Sequence, residues 1–181
     1  MYINLFAQEI YLQNKKVGWW DDPNRCVFEC LQLISSEIGE ATDGYRKDLM
    51  DKHLPHRKSE EVEYADTLIR LLDFGTHHGL MYQDHDGKYD PLIDREGISI
   101  VGQQFALNKP IFILCEYWEN PDRIPIEAVH MVYSVGINTI LEIGKRRGFD
   151  ILAAAREKHD YNKTRADHKR ENRAKEGGLK A

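Results

Sequence analysis

Two pairs of acids, Glu37 with Glu40 and Glu63 with Asp66, have types and spacings suited to chemistry. Both pairs are three apart, and a helix turning about 100° per residue puts such residues on one face. On the helix that carries "LISSEIGEATDGYRK" (33–47) the apolar stripe is Val27, Leu31, Ile34, Ile38 and Ala41, and Glu37 projects at its edge. Glu40 lies one turn on, and Asp43 extends the row. A carboxylate turned toward a core is costly unless it is paired or holds a cation. Two such pairs on facing helices supply four carboxylates, enough to hold Mg²⁺ with positions left for substrate phosphates. The second pair also has a plainer reading. Glu63, Asp66, Arg70 and Asp73 make one polar face opposite Val62, Ile69 and Leu72, and Asp66 with Arg70 has the spacing of a surface ion pair.

The elements that must place these acids read as helices. Residues 1–16 suit a short amphipathic helix, followed by the turn-rich "VGWWDDPNR" with Trp19 and Trp20. A long helix is expected from Asn24 or Cys26 to about Leu49, then a polar connector broken by Pro55. Ser59 is a candidate N-cap for the second acidic helix, which Gly79 would stop. Residues 82–97 are loop-like, and 97–118 fit helix or strand, helix being favoured because the neighbouring segments are helical. A strong helix follows, with Pro125 near its start and Gly148 just past its end. Asp150 then caps a last helix, with Phe149 as a possible staple. The fold class is all-α, a helical bundle.

The whole chain bounds the partners. Its 181 residues suffice for one domain with a real core. A net charge of −5 supplies no global basic field, which argues against a protein built mainly to grip nucleic acid. Three cysteines without Cys-x-x-Cys spacing suggest reduced, packed thiols. No apolar run approaches a membrane span and the start lacks a signal-peptide layout, so a cytoplasmic location is expected.

The ordered motifs resemble those of the all-α nucleoside triphosphate pyrophosphohydrolases, the MazG-like group with the dimeric dUTPases and dCTP pyrophosphatases. "GWW" precedes the first acidic helix; "SEIGEATDGYRK" resembles the Ser-Glu-x-x-Glu-Ala…Arg segment of that group. "EYADTLIRLLDFG" resembles its second motif, and "REKHDYNKTRADHK" its Lys-x-x-Tyr-Asn-x-x-Arg segment. The likeness covers about 17–79 and 145–180, leaving 80–120 as an insertion; it divides the chain into a domain, 1–165, and a basic tail, 166–181. It implies a MazG-like bundle completed by a homodimer or homotetramer. It implies hydrolysis of a nucleoside triphosphate to monophosphate and pyrophosphate, with Glu37, Glu40, Glu63 and Asp66 as catalytic Mg²⁺ ligands and Mn²⁺ as a possible substitute. It further implies phosphate contacts from Lys158, Tyr161, Asn162, Lys163 and Arg165, and it puts Arg46 and Arg70 at motif positions.

Lys158, Lys163 and Arg165 also fit an ordinary basic helix end. Trp19 and Trp20 could stack on a base, or serve as core or lid. His53, His56, His77 and His78 read as surface residues, and "DHDGKYD" lacks a calcium-loop register. Glu127-x-x-His130 is half of a di-iron carboxylate recipe that needs two such motifs, so a di-iron bundle is the different-chemistry alternative. A non-catalytic helical module binding nucleotide or nucleic acid is the third.

Overall fold

The computed structural model describes residues 3–165 and Glu171; the rest of the basic tail lies outside the described residues. The chain is helical: α1 (Ile3–Lys16), α2 (Val27–Lys47), α3 (Ser59–His77), α4 (Ile100–Phe105), α5 (Asn108–Glu119), α6 (Ile126–Arg147) and α7 (Ile151–Thr164). Among the described residues the β content is an isolated antiparallel bridge, Met50 to Lys58. None of the helices is long and apolar enough to cross a membrane.

The centre of the fold is α3, which packs on α1, α2, α6 and α7. Its apolar residues Val62, Ala65, Leu68, Ile69 and Leu72 are buried, and so are Glu60, Glu61 and Asp73. A helix buried nearly all round must pair its acids. Glu60 meets Arg147 of α6 at 2.8 Å, and Glu61 meets Arg57 at 2.5 Å. Asp73 is therefore not on the exposed polar face expected for it; its oxygens accept from Asn14 and Trp20.

Helix ends follow local chemistry with two corrections. Asp150 accepts from the Ala153 amide at 3.0 Å, and Gly148 closes α6 in the left-handed region at φ 75. Ser59 does not cap α3: Lys58 holds the cap position without a side-chain bond, and Ser59 begins the helix. α2 stops at Lys47 rather than Leu49 because Asp48 turns left-handed at φ 50, returning its amide to the α2 carbonyls. There α2 and α3 touch backbone to backbone. A Cβ on Gly44 would stand 2.7 Å from the Glu60 amide nitrogen.

The stretch favoured as helix is helical from Ile100, and it is broken at Ala106 and Leu107 into α4 and α5. This stretch joins the main core through Leu107, Ile111 and Leu114. The loop before it is fastened to α6: Gln83 N donates to Ser134 Oγ, Asp90 N to Thr139 Oγ1, and Tyr82 Oη to Asn138 Oδ1.

Candidate functional site

The crossing of α2 and α3 brings Glu37, Glu63 and Asp66 together. One oxygen from each lies within 4.8 Å of the other two. Glu37 is only 6% exposed, as its place at the edge of the apolar stripe requires. Glu40 lines the same cavity from an exposed position, outside that trio, and has no hydrogen-bond or ion-pair partner among the described residues.

Two cations meet the cluster. Arg70 Nε donates to Glu37 Oε1 at 2.5 Å, and Lys158 Nζ donates to Asp66 Oδ2 at 2.7 Å. The expected Asp66–Arg70 surface pair is thus replaced by two cross-helix pairs, because both side chains point into the α2–α3–α7 junction. Lys158 is 4% exposed. Burial opposes its charge, yet Asp66, with Asp51 and Glu63, holds the ammonium above its ordinary pKa.

Among the described residues Glu63 carries no such partner. Burial, then the charges of Asp66 and Glu37, push its carboxyl up to about 9. Burial likewise raises Asp66 against the pull of Lys158. Four carboxyl groups face two cations there, and a divalent cation among them would let Glu63 give up its proton and join as a ligand. Oxygen donors in that number and charge fit a hard divalent cation, Mg²⁺ or Mn²⁺, and they lack the nitrogen or sulfur donors that favour softer metals.

The acids open onto a cavity of about 670 Å³. Trp19, Trp20, Arg70, Lys158, Asn162, Lys163 and Arg165 all line it. The Asn162 Oδ1 atom is buried without a partner among the described residues, an acceptor left over at the α7 wall. Lys163 is engaged by Asp160 at 2.7 Å and by Glu9 at 3.3 Å. Trp20 donates its indole N–H to Asp73 and stacks on His77 at 3.7 Å, while the Arg25 guanidinium lies 4.3 Å from the Trp19 ring centroid.

Two expected contacts are not in the cavity wall. Arg46 is exposed on the far side of α2, where no acid of the cluster reaches it. Tyr161 stacks on His53 at 4.8 Å, so it supports a wall residue rather than forming the wall. The reading of the histidines as surface groups holds for His56 and His77, not for His53 and His78. His53 lines the cavity with Nδ1 at 3.4 Å from Lys158 Nζ. His78 packs against Phe74 and Trp118, and burial, then His77, push its pKa down to about 4.

Sequence reading also missed Asn14, Arg25 and Asp73 as wall residues. A weak signal existed for Asp73, an acid one turn beyond Arg70 on a helix otherwise in the core. Asn14 had none, being one polar residue among several near the end of α1. Glu127 is exposed and His130 accepts from the Met81 amide at 3.1 Å, so that pair takes no part in the acid cluster. No protein-family model, curated protein or solved structure matches the chain.

Proposed function

We propose that this protein is a Mg²⁺-dependent nucleoside triphosphate pyrophosphohydrolase of MazG-like type, releasing monophosphate and pyrophosphate. The observation that carries the reading is the trio Glu37, Glu63 and Asp66, converging from two helices on a cavity that also holds Lys158 and the unpartnered Asn162 oxygen. A divalent cation at the trio would neutralise phosphate charge and make the phosphorus more electrophilic. Glu37, Glu63 and Asp66 hold the cation, with Glu40 at the rim completing its oxygen set or orienting a water. Lys158 and Arg70 keep the carboxylates in place when the site is empty of substrate and turn part of their charge toward phosphate oxygens when it is full. Asn162, Lys163 and Arg165 extend that positive and amide wall along α7.

A homodimer or homotetramer belongs to the same proposal. Leu5 and Leu12 on α1 are 64% and 57% exposed, and Phe105 and Phe112 on α4 and α5 are 60% and 62%. Apolar side chains of that size in two groups supply area for a second subunit to cover.

The test is pyrophosphate release from a panel of ribo- and deoxynucleoside triphosphates, with Mg²⁺ and with EDTA. Release from one or a few, abolished by EDTA, is expected. A folded protein that releases pyrophosphate from none of them removes the hydrolase assignment.

A further inference from the structure

The cavity continues beyond the acids to a second end between α1 and the C-terminal half of α3, where Asn14, Trp19, Trp20 and Asp73 form the wall. Asp73 is 4% exposed and accepts two bonds: Trp20 Nε1 at 3.1 Å on one oxygen and Asn14 Nδ2 at 2.8 Å on the other. An indole nitrogen can only donate, and an ionised carboxylate can only accept. The amide of Asn14 is therefore held one way round, nitrogen toward Asp73. Its Oδ1 has no hydrogen-bond partner among the described residues, on a side chain that lines the cavity. Trp20 is fixed twice, by this bond and by its stack on His77 at 3.7 Å, so the wall is rigid before anything binds.

We infer that this end is a nucleobase pocket selecting bases whose exocyclic amine stands at the pyrimidine 4-position or the purine 6-position, cytosine or adenine, over uracil, thymine and guanine, which carry a carbonyl there, with Asn14 Oδ1 accepting the amine hydrogen. The inference rests on the nucleotide reading above and adds the substrate class. An amine places a hydrogen between its nitrogen and the waiting acceptor. A carbonyl at the same ring position would set oxygen against oxygen, beside a buried carboxylate, leaving both unpaired. Burial pushes Asp73 up to about 6, so above that pH it remains the charged acceptor that locks the amide. Tryptophan faces tolerate any base. Discrimination therefore falls to the amide.

Calorimetric titration of the full chain with CMP, AMP, UMP and GMP, in EDTA, tests the pocket apart from the acid cluster and from any turnover. CMP or AMP is expected to bind about tenfold more tightly than UMP and GMP, the worth of one hydrogen bond and its avoided repulsion. Asn14→Leu is expected to bring the four within about threefold. Asp73→Asn, which frees the amide to turn over, is expected to narrow the ratio as well and stands in if the first variant does not fold. UMP or GMP binding as tightly as CMP and AMP overturns the inference, as does an undiminished preference in the folded variants, or no binding of any of the four. Pyrophosphate release is read in parallel. Selective binding without release from any triphosphate keeps the pocket and removes the hydrolase; release at equal rates from amino and oxo bases does the reverse.

Discussion

At the scale of single residues, the site is a problem in charge balance. Lys158 is buried against a half-buried Asp66, and removing one partner of such a pair leaves the other stranded. Lys158→Met is expected to cost about 3 kcal/mol in metal-free buffer. Part of that loss should return with Mg²⁺, which replaces the missing positive charge; melting temperatures with EDTA and with Mg²⁺ check it. A variant equally destabilised in both would mean that the cation does not sit beside Asp66. Glu40 behaves differently because it is exposed and unpaired. Glu40→Gln should abolish turnover with an unchanged melting temperature, and retained activity would remove Glu40 from the site.

Acid sensitivity also belongs to residues. Burial, then a neighbouring positive group, pushes both His78 and His159 down to about 4, from 6.5 for a free imidazole. Between those values the unfolded chain takes up protons that the folded chain refuses, so stability falls as pH falls. The contribution is complete above about 6.5 and is lost on acidification toward 4. His78→Leu, which keeps an apolar contact with Phe74 and Trp118, should flatten the melting-temperature profile between pH 7 and pH 4.5. A profile as steep as that of the natural protein would assign the acid lability elsewhere.

At the scale of elements, the geometry of the acids is set by how closely α2 approaches α3. Gly44 permits backbone contact at the start of α3, and an added Cβ would meet the Glu60 nitrogen at 2.7 Å and Ser59 Oγ at 3.0 Å. Backbone cannot swing away as a flexible side chain does, so Gly44→Ala should cost about 1–3 kcal/mol. It should also weaken Mg²⁺ binding by moving Glu63 and Asp66 relative to Glu37. Chemical denaturation and Mg²⁺ titration of the same variant separate the two effects; intact Mg²⁺ affinity would show that the helices slide without parting. Most helices were legible in sequence because their signals are local: the Gly148 stop, the Asp150 cap and apolar residues three and four apart. Ser59 was misread because a serine before an acidic run looks like a cap wherever the chain turns, and the bridge between Met50 and Lys58 sets the start of α3 one residue earlier. The break at Ala106 and Leu107 has its signal in Pro110, which cannot donate to the Ala106 carbonyl and so stands in the first turn of a new helix; both break residues are core residues.

At the scale of the whole molecule, the acid junction is braced from outside. Arg57 links Glu61 of α3 to Glu157 of α7, and Arg147 of α6 reaches Glu60, so the connector before α3 and two later helices hold it in place. The exposed leucines of α1 and phenylalanines of α4 and α5 lie outside that frame. Light scattering at working concentration is expected to give the mass of a dimer or tetramer, and a monomer would contradict the proposed assembly.

By itself the sequence determined the helices, the i, i+3 spacing of both acid pairs and the inward lean of Glu37, because these depend on the helical period and on neighbours a turn away. Only the tertiary structure decided which cation meets which carboxylate, that Arg46 lies outside the cavity, and that Asp73 is buried against Asn14 rather than exposed beside Arg70. Those outcomes depend on the rotation and crossing of helices distant in sequence. Periodicity places a residue on a face of its own helix and says nothing about what that face meets.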